Sequence, residues 1–441
     1  GLWVASAMGL GDRQRAEQAP DGRTEVVVDD AKYRLRLLTF DERTYEHAYN
    51  AVSNRLLWFL HHYLWDLPRS PALDRGTAEA WEDYGAYNRA FAEALAGEAG
   101  DGPTDILVQD YHLSLVPAEL RALAPRARVA HFHHCPFAGP TYLRLLPESM
   151  WRRLLEGLLG ADLLGFQTER WAANFLASCA LLEDADIDVE GRRIGWRGRT
   201  IRVGVYPISI DAEALRSRAA SPRVRGRRRA LDRWRGDRKL MLRVDRAELS
   251  KNLLRGFQAF GDLLERYPEW RRRVVFLALV NPSRPGVPEY RAYTEECLAL
   301  AERINAEFRE PGWRPIELRV DDDYDEVLAA YGLYDVLVVN PIFDGMNLVA
   351  KEGALLNRHD GVLVLSRNAG AFTQLGAHAV GVDPLDLAGT ADAMAAALSM
   401  PTEERGQRAR ALRRAAAAVT PAEWAGRQIQ DLERDASAAA T

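Results

Sequence analysis

The ten residues from Phe343 to Glu352, Phe-Asp-Gly-Met-Asn-Leu-Val-Ala-Lys-Glu, put a carboxylate into a glycine-bent polar turn between two apolar segments. Upstream, residues 335–340 read Asp-Val-Leu-Val-Val-Asn, the near-continuous apolar run of a strand buried on both faces. Downstream, residues 348–356 can open a helix, whose first N–H groups lack intrahelical partners. A strand, an acidic turn and a helix N-terminus together suit an anionic or hydroxyl-rich ligand. Asp344 could hold sugar hydroxyls there, and Glu352, about one turn into the helix, a second diol such as a ribose. The alternative is an ordinary βα loop with a solvated Asp.

Two cations offer complementary chemistry. Arg246 ends the apolar run Met241-Leu-Arg-Val-Asp245, and Lys251 follows five residues later at a helix start. At the C-terminal edge of a parallel sheet this pair would form a diphosphate pocket; otherwise they are two surface cations. Asp110 follows the strand-like Ile106-Leu-Val-Gln109, and its competing role is to cap the next helix. Arg284, in Asn281-Pro-Ser-Arg284, is the best candidate for gripping a phosphate on an acceptor. No G-x-G-x-x-G follows a strand and no G-x-x-x-x-G-K-[ST] occurs, which disfavours dinucleotide and P-loop sites. His131, His133, His134 and Cys135 cluster in sequence, but adjacent strand residues point to opposite faces, so no metal is expected.

The elements that must position these groups alternate regularly. Residues 40–66 and 77–96 read as amphipathic helices, 105–109 as a strand, 115–123 as a helix, 128–132 as a strand and 147–159 as a helix. Residues 187–205 read as a β-hairpin. Strands are predicted near 239–244, 273–280, 316–320, 335–340, 362–366 and 379–383, each followed by a helical segment. Such alternation predicts an α/β chain with doubly wound parallel sheets. Two blocks joined near residues 206–211 predict two Rossmann-like domains facing a cleft, spanning 1–207 and 208–405. Thr420-Pro-Ala-Glu423 reads as an N-cap, a Pro at N1 and a capping-box Glu. Residues 406–441 are expected to be helical.

At 441 residues the chain is long enough for two or three domains with large cores. A net charge of -5 gives no electrostatic reason to expect nucleic acid. The basic run 223–238 is interrupted by Leu, Trp and Asp and reads as a solvated helix face. Cys135, Cys179 and Cys297 are widely spaced and odd in number, which argues against a disulfide scaffold and suits a reducing, cytoplasmic setting. No stretch approaches the roughly 20 apolar residues needed to span a bilayer, and no signal peptide is recognised. Expected partners are therefore small molecules, with homo-oligomerisation left open. Lys and Arg total 58, yet the only lysines are Lys32, Lys239, Lys251 and Lys351. A site built for a compact ammonium resists replacement by Arg, which makes Lys251 and Lys351 candidates for function.

The motifs also resemble those of the trehalose-6-phosphate synthase family, retaining glycosyltransferases of the two-domain GT-B fold. The resemblance covers Val108-Gln-Asp-Tyr-His-Leu113, His134-Cys-Pro-Phe137, Leu145-Leu-Pro147, Gly160-Ala-Asp-Leu-Leu-Gly-Phe166, Val244-Asp-Arg246 with Lys251, Pro282-Ser-Arg284 and the decapeptide, in family order. It implies glucosyl transfer from a nucleotide glucose to glucose 6-phosphate with retention and no cofactor, and C-terminal helices over 406–441 that return to the first domain. Arg246 and Lys251 would hold the diphosphate, and Asp344, Gly345, Met346, Asn347, Leu348, Val349 and Glu352 the rest of the donor. Asp110 would contact the acceptor sugar near the reaction centre, and His134 would face the donor sugar. Tyr49 and Trp58 match positions around the acceptor, beside Arg284, and Trp3 would border that pocket. Aromatics on an amphipathic helix also simply pack a core.

Family members usually have a first strand carrying an Arg and then a Gly-Gly loop. The sequence begins at Gly1-Leu-Trp-Val-Ala-Ser, which resembles the segment after that loop, so those groups are expected to be missing through truncation or in an impaired form. Ala247-Glu-Leu249 and Lys251-Asn252 replace the commoner Leu-Asp-Tyr and Lys-Gly and resemble actinobacterial members, some of which prefer GDP-glucose to UDP-glucose. One of Asp321, Asp322 and Asp323 would then accept from guanine N1–H and N2–H. No carboxylate pair can be assigned the roles used by retaining glycosidases. The family instead lets the acceptor attack the face that the diphosphate leaves, with the leaving phosphate taking the acceptor proton. The rivals are a pseudo-glycosyltransferase, a glucosylglycerol-phosphate synthase, or a silent paralogue that binds sugar phosphate and regulates a partner.

Overall fold

The structure is a computed structural model that describes residues 1–28, 31–100, 102–284 and 286–439, with side chains described through residue 434. The chain forms two compact units, residues 1–206 with 427–441, and residues 207–426.

The first unit opens with three strands, β1 (Leu2–Ser6), β2 (Arg23–Val28) and β3 (Ala31–Leu38). β3 lies centrally, parallel to β1 and antiparallel to β2. A six-stranded sheet follows, built from β4 (Asp105–Gln109), β5 (Arg128–His133), β6 (Leu163–Phe166), β7 (Asp186–Asp188), β8 (Arg193–Trp196) and β9 (Arg199–Val205). Its order is β4-β5-β6-β9-β8-β7. β4, β5, β6 and β9 run parallel, and β9, β8 and β7 are joined antiparallel, so the hairpin expected over 187–205 is a three-stranded antiparallel meander. The predicted helix across 40–66 is helical over 42–61, but Glu46–Leu57 is wound as a π-helix. The Ser53 hydroxyl donates to the Ala48 carbonyl, five residues back, at 2.7 Å. Such wide turns are rare and recur at functional sites.

The second unit is one parallel sheet in the order β12-β11-β10-β13-β14-β15. Its strands are β10 (Lys239–Arg246), β11 (Val274–Asn281), β12 (Ile316–Val320), β13 (Val336–Val339), β14 (Val362–Ser366) and β15 (Val380–Val382). Strand side chains alternate between the faces of a sheet, and here both faces are buried. Leu240, Leu242, Val244, Val275, Leu277, Leu279, Leu337 and Val339 enter one core. Met241, Val274, Phe276, Ala278, Val280, Val336 and Val338 enter the other. The helices Tyr324–Tyr331 and Leu348–Leu356 cover the first face, and Leu253–Arg266, Pro288–Phe308 and Leu387–Ser399 the second. This is the doubly wound arrangement the alternation predicts.

The boundaries differ from expectation at the C-terminus. Helix Thr402–Ala416 buries Leu412 and Ala416 in the first-face core of the second unit. Only from residue 427, within the last helix Pro421–Ala439, does the chain group with the first unit. There the Tyr206 hydroxyl donates to Asp431 at 2.7 Å. The Thr420–Glu423 capping box is reciprocal: Thr420 N–H donates to Glu423 at 2.7 Å, and Glu423 N–H to the Thr420 hydroxyl at 3.2 Å. The basic run falls on helix Pro222–Arg235, where Arg223 pairs with Asp325 at 2.9 Å and Arg227 with Asp323 at 2.6 Å. No disulfide joins the buried Cys135, Cys179 and Cys297. Among the described residues no helix is long and apolar enough to cross a membrane.

Candidate active site

In the second unit, the acidic turn leaves β13 and is braced by the loop after β14. Asp344 N–H donates to the Asn368 carbonyl at 3.3 Å, Gly370 N–H to the Asp344 carbonyl at 3.2 Å and Ala371 N–H to the Met346 carbonyl at 2.7 Å. The two loops are so close that a Cβ on Gly370 would lie 1.9 Å from the Gly345 carbonyl oxygen. Asn347, at φ 84°, accepts from Ala350 N–H at 3.1 Å and so caps the helix Leu348–Leu356. Its amide also donates to Asp344 Oδ2 at 3.1 Å, and Lys251 Nζ reaches the same oxygen at 2.6 Å. Asp344 is therefore no solvated loop carboxylate. It is fixed between an ammonium and an amide at a helix N-terminus.

Lys251 is raised by this setting: burial pulls its ammonium down, but Asp344, Glu248 and Asp245 together push it above its ordinary range. Behind it, the wholly buried Arg243 donates to Asn340 Oδ1 at 2.7 Å and to the Lys251 carbonyl, and pairs with Asp245 at 2.9 Å. Gly256 makes room for that guanidinium, since a Cβ there would lie 2.3 Å from Arg243 Nη1. Burial raises the Asp245 carboxyl to about 6 against the pull of Arg243 and Lys251. Arg243, Asn340 and Asp245 were not singled out in the sequence. The available signals are two charged residues inside the apolar strand β10 and a polar residue just past the end of β13.

Glu352 lies in the same helix, and its Oε2 accepts from the Tyr331 hydroxyl at 3.3 Å. Burial raises its carboxyl to about 7, only partly opposed by Tyr331. Gly345 and Met346 lie in the braced turn, and Leu348 and Val349 in the first helical turn beside Asp344. Lys351 is buried elsewhere: its Nζ donates to the Ile208 carbonyl at 2.6 Å, and burial lowers it to about 8. Lys351, singled out by its type, thus anchors the backbone at residue 208. Arg246 projects from the end of β10 with half its side chain exposed and pairs with Glu248 at 3.1 Å. Arg284, at φ 45°, donates to the Tyr290 hydroxyl and lies over that ring, 5.3 Å from its centroid.

The first unit gathers the other group at the tips of β4 and β5. Asp110 does not cap the short turn Tyr111–Leu113 that follows it. Its Oδ1 instead accepts from His134 N–H at 3.1 Å, and its carbonyl accepts from His131 Nε2 at 3.1 Å. His134 Nε2 lies 2.8 Å from Gln109 Oε1, and burial lowers its imidazole below the usual range despite Asp110. Contrary to the expectation for this histidine cluster, some of its ligand atoms do converge. Atoms from Asp110, His133 and Cys135 lie within 4.8 Å of one another. Residues 133 and 135 are two apart, and Asp110 approaches from the neighbouring strand. His133 Nε2 is already engaged with the Pro136 carbonyl and with Cys135 Sγ, each at 3.2 Å.

Tyr49 stacks against Tyr45 and His112 at 5.2 and 5.4 Å within the π-helical stretch. Trp58 is buried against His62 and Tyr111, at 3.8 and 5.9 Å between ring centroids. Trp3 is largely exposed on β1. Tyr111 links Trp58 to the Asp110 strand tip, and its hydroxyl donates to Asn54 at 3.1 Å.

The family model of glycosyltransferase family 20 matches residues 2–434. A validamine 7-phosphate valienyltransferase of Streptomyces hygroscopicus subsp. jinggangensis is 31% identical over 438 residues, covering 99% of this chain and 86% of that protein. A trehalose-6-phosphate synthase of Mycolicibacterium smegmatis is 38% identical over 420 residues, covering 92% of this chain and 80% of its own length. The crystal structure of an alpha,alpha-trehalose-phosphate synthase (UDP-forming) from Burkholderia xenovorans in complex with glucose-6-phosphate superimposes with a TM-score of 0.86 at 30% identity, covering 98% of this chain and 99% of that one. The chain belongs to glycosyltransferase family 20 and is a retaining hexosyltransferase of the GT-B fold.

Proposed function

We propose that the protein transfers glucose from a nucleotide glucose to the anomeric hydroxyl of glucose 6-phosphate, with retention, to give trehalose 6-phosphate. The observation that carries this reading is the contact of Lys251 with Asp344 at 2.6 Å, on a carboxylate also held by Asn347 at a helix N-terminus. Arg246 and Lys251 take the donor diphosphate and stabilise its charge as the glycosidic bond breaks. Asp344 then turns to the donor hexose, and Glu352 takes the ribose. Asp110, His134, Tyr49 and Trp58 serve the hexoses in the first unit, and Arg284 takes the acceptor phosphate. The protein's groups mainly position the reactants and stabilise departing charge. Incubation with nucleotide glucose and glucose 6-phosphate should release nucleoside diphosphate and trehalose 6-phosphate in equal amounts. Failure to form the disaccharide with either GDP- or UDP-glucose would remove the reading.

A second reading has its own support, because the valienyltransferase matches 99% of the chain. Replacing glucose 6-phosphate by validamine 7-phosphate, with a nucleotide-linked valienyl donor, separates the two by which pair turns over faster.

For the donor base we propose guanine, held by Asp322. Asp323 is committed, since it caps the helix Tyr324–Tyr331 and pairs with Arg227. Asp321 Oδ1 accepts from Asp322 N–H at 2.7 Å, which leaves Asp322, exposed and joined by Asn281 at 2.9 Å, as the better acceptor. Asp322→Ala should erase a preference for GDP-glucose over UDP-glucose in kcat/KM. An unchanged ratio dismisses the assignment.

Glu352 makes donor binding depend on pH. A carboxyl raised to about 7 is mostly neutral at pH 6 and ionised at pH 8. Only the ionised form accepts from both hydroxyls of a diol, so affinity falls as pH falls. The KM for nucleotide glucose should rise about tenfold from pH 8 to pH 6. Glu352→Gln should flatten that profile, and an equally steep profile in this variant would locate the titration elsewhere.

A further inference from the structure

Glu248 has no assigned part in the reaction, yet it lies where both phosphate-gripping loops begin. Its residue is wholly buried, an unusual place for a carboxylate. Oε1 receives Arg246 Nη1 at 3.1 Å and the Ser283 hydroxyl at 2.9 Å. Ser283 immediately precedes Arg284. The backbone of Glu248 takes part as well: its N–H donates to the Arg246 carbonyl at 2.7 Å, and its carbonyl accepts from Lys251 N–H at 3.0 Å. Among the described residues Oε2 has no hydrogen-bond partner, although it is shut away from solvent. A buried carboxylate satisfied on one oxygen costs stability. Here that cost is coupled to the orientation of an Arg whose own side chain is 53% exposed.

An arginine so exposed would otherwise sample many rotamers, and ordering it on binding costs affinity. A fixed anion at its base removes much of that cost beforehand. The hydroxyl of Ser283, held by the same oxygen, ties the turn bearing Arg284 to the turn bearing Arg246.

We propose that Glu248 is a positioning residue that pre-orients Arg246 for the donor diphosphate and, through Ser283, couples it to the Arg284 turn. The inference rests on the reading of Arg246 as a diphosphate ligand, and the test separates the two. Binding of GDP and UDP is measured by calorimetry, together with kcat and both KM values, for Glu248→Gln, Arg246→Ala and the double variant. Glu248→Gln should weaken nucleoside diphosphate binding about tenfold and raise the KM for glucose 6-phosphate. In the Arg246→Ala background the same change should add less than twofold to the loss of nucleotide affinity, because the residue through which Glu248 acts is gone. Glu248→Asp keeps the charge and should recover part of the affinity. It also serves as the test variant, alone and with Arg246→Ala, should Glu248→Gln fail to fold.

Normal nucleotide affinity in Arg246→Ala refutes the diphosphate reading itself. Weakened binding in Arg246→Ala with normal binding in Glu248→Gln refutes only the positioning role. Equal losses from Glu248→Gln in both backgrounds also overturn it, since they mean that Glu248 acts through the fold and not through Arg246.

Discussion

Lys251→Ala should lower kcat for glucosyl transfer by about two to three orders of magnitude, the usual effect of removing one preorganised donor from a developing anion. The Lys251 side chain is 13% exposed and its ammonium lies 2.6 Å from a carboxylate, so in the resting protein Lys251 and Asp344 neutralise each other. On the proposed reading, a diphosphate competes for Lys251, and the carboxylate so released turns to hexose hydroxyls. Alanine removes both the charge and the partner, while the Asn347 amide still reaches Asp344. Lys251→Arg should not restore activity. The enclosed slot fits a compact ammonium, its carbonyl is already taken by Arg243, and a planar fork presents its donors differently. Arg246→Ala should also lower turnover strongly, but it leaves the Asp344 cluster intact. Single-turnover rates at saturating substrates decide the matter, and near-normal rates in both alanine variants would refute the diphosphate assignment.

The strands and helices that carry these residues were legible because burial on both faces writes a plain pattern. Val336 to Val339 have no polar residue to spend on solvent, so a central parallel strand was the economical reading. The acidic turn was legible from residue types alone, since Asp, Gly and Asn mark a turn and Leu348 restarts helical spacing. The three-stranded sheet of the first 38 residues is less legible, although Tyr33, Leu35 and Leu37 alternate with Arg34 and Arg36. In sequence, residues 46–57 read as part of an ordinary amphipathic helix. A π-turn shifts which side chains align, and nothing local to Tyr49 announces it. The chain returns later than the sequence suggests, because the Ala- and Arg-rich helix Thr402–Ala416 buries Gly406, Ala409, Leu412 and Ala416, of which only Leu412 is a large apolar residue. Glu248 was invisible for a different reason. In Ala-Glu-Leu-Ser it looks like any exposed loop acid, and its burial depends on residues brought from β11 and the loop beyond it. Lys351 was conspicuous by type, but its partner, the carbonyl of Ile208, is 143 residues away.

Asp110 brings backbone strain and chemistry together, and its substitution should separate them. Its φ of 69° and ψ of 171° lie in a region that is essentially the preserve of glycine, at a cost of about 1–3 kcal/mol for other residues. The surroundings enforce that conformation: Asp110 N–H donates to the Phe132 carbonyl at 2.7 Å, and the Asp110 carbonyl accepts from Leu113 N–H and His131 Nε2, each at 3.1 Å. A strained carboxylate at a strand tip is retained where its position matters, because the side chain also holds His134 N–H at 3.1 Å. Asp110→Gly should relieve the strain, and Asp110→Ala should keep it while losing the same carboxylate. Glycine ordinarily destabilises relative to alanine by roughly 0.5–1 kcal/mol. At this position the order should reverse, with the glycine variant melting at the higher temperature. Both variants should lose at least about a hundredfold in turnover, consistent with the loss of a group that orients the reacting hexose. Thermal melts and initial rates on the same three proteins test both halves. An alanine variant as stable as the glycine variant would show that the backbone is unstrained. Normal turnover in either would take Asp110 out of the chemistry and leave it as a brace for His134.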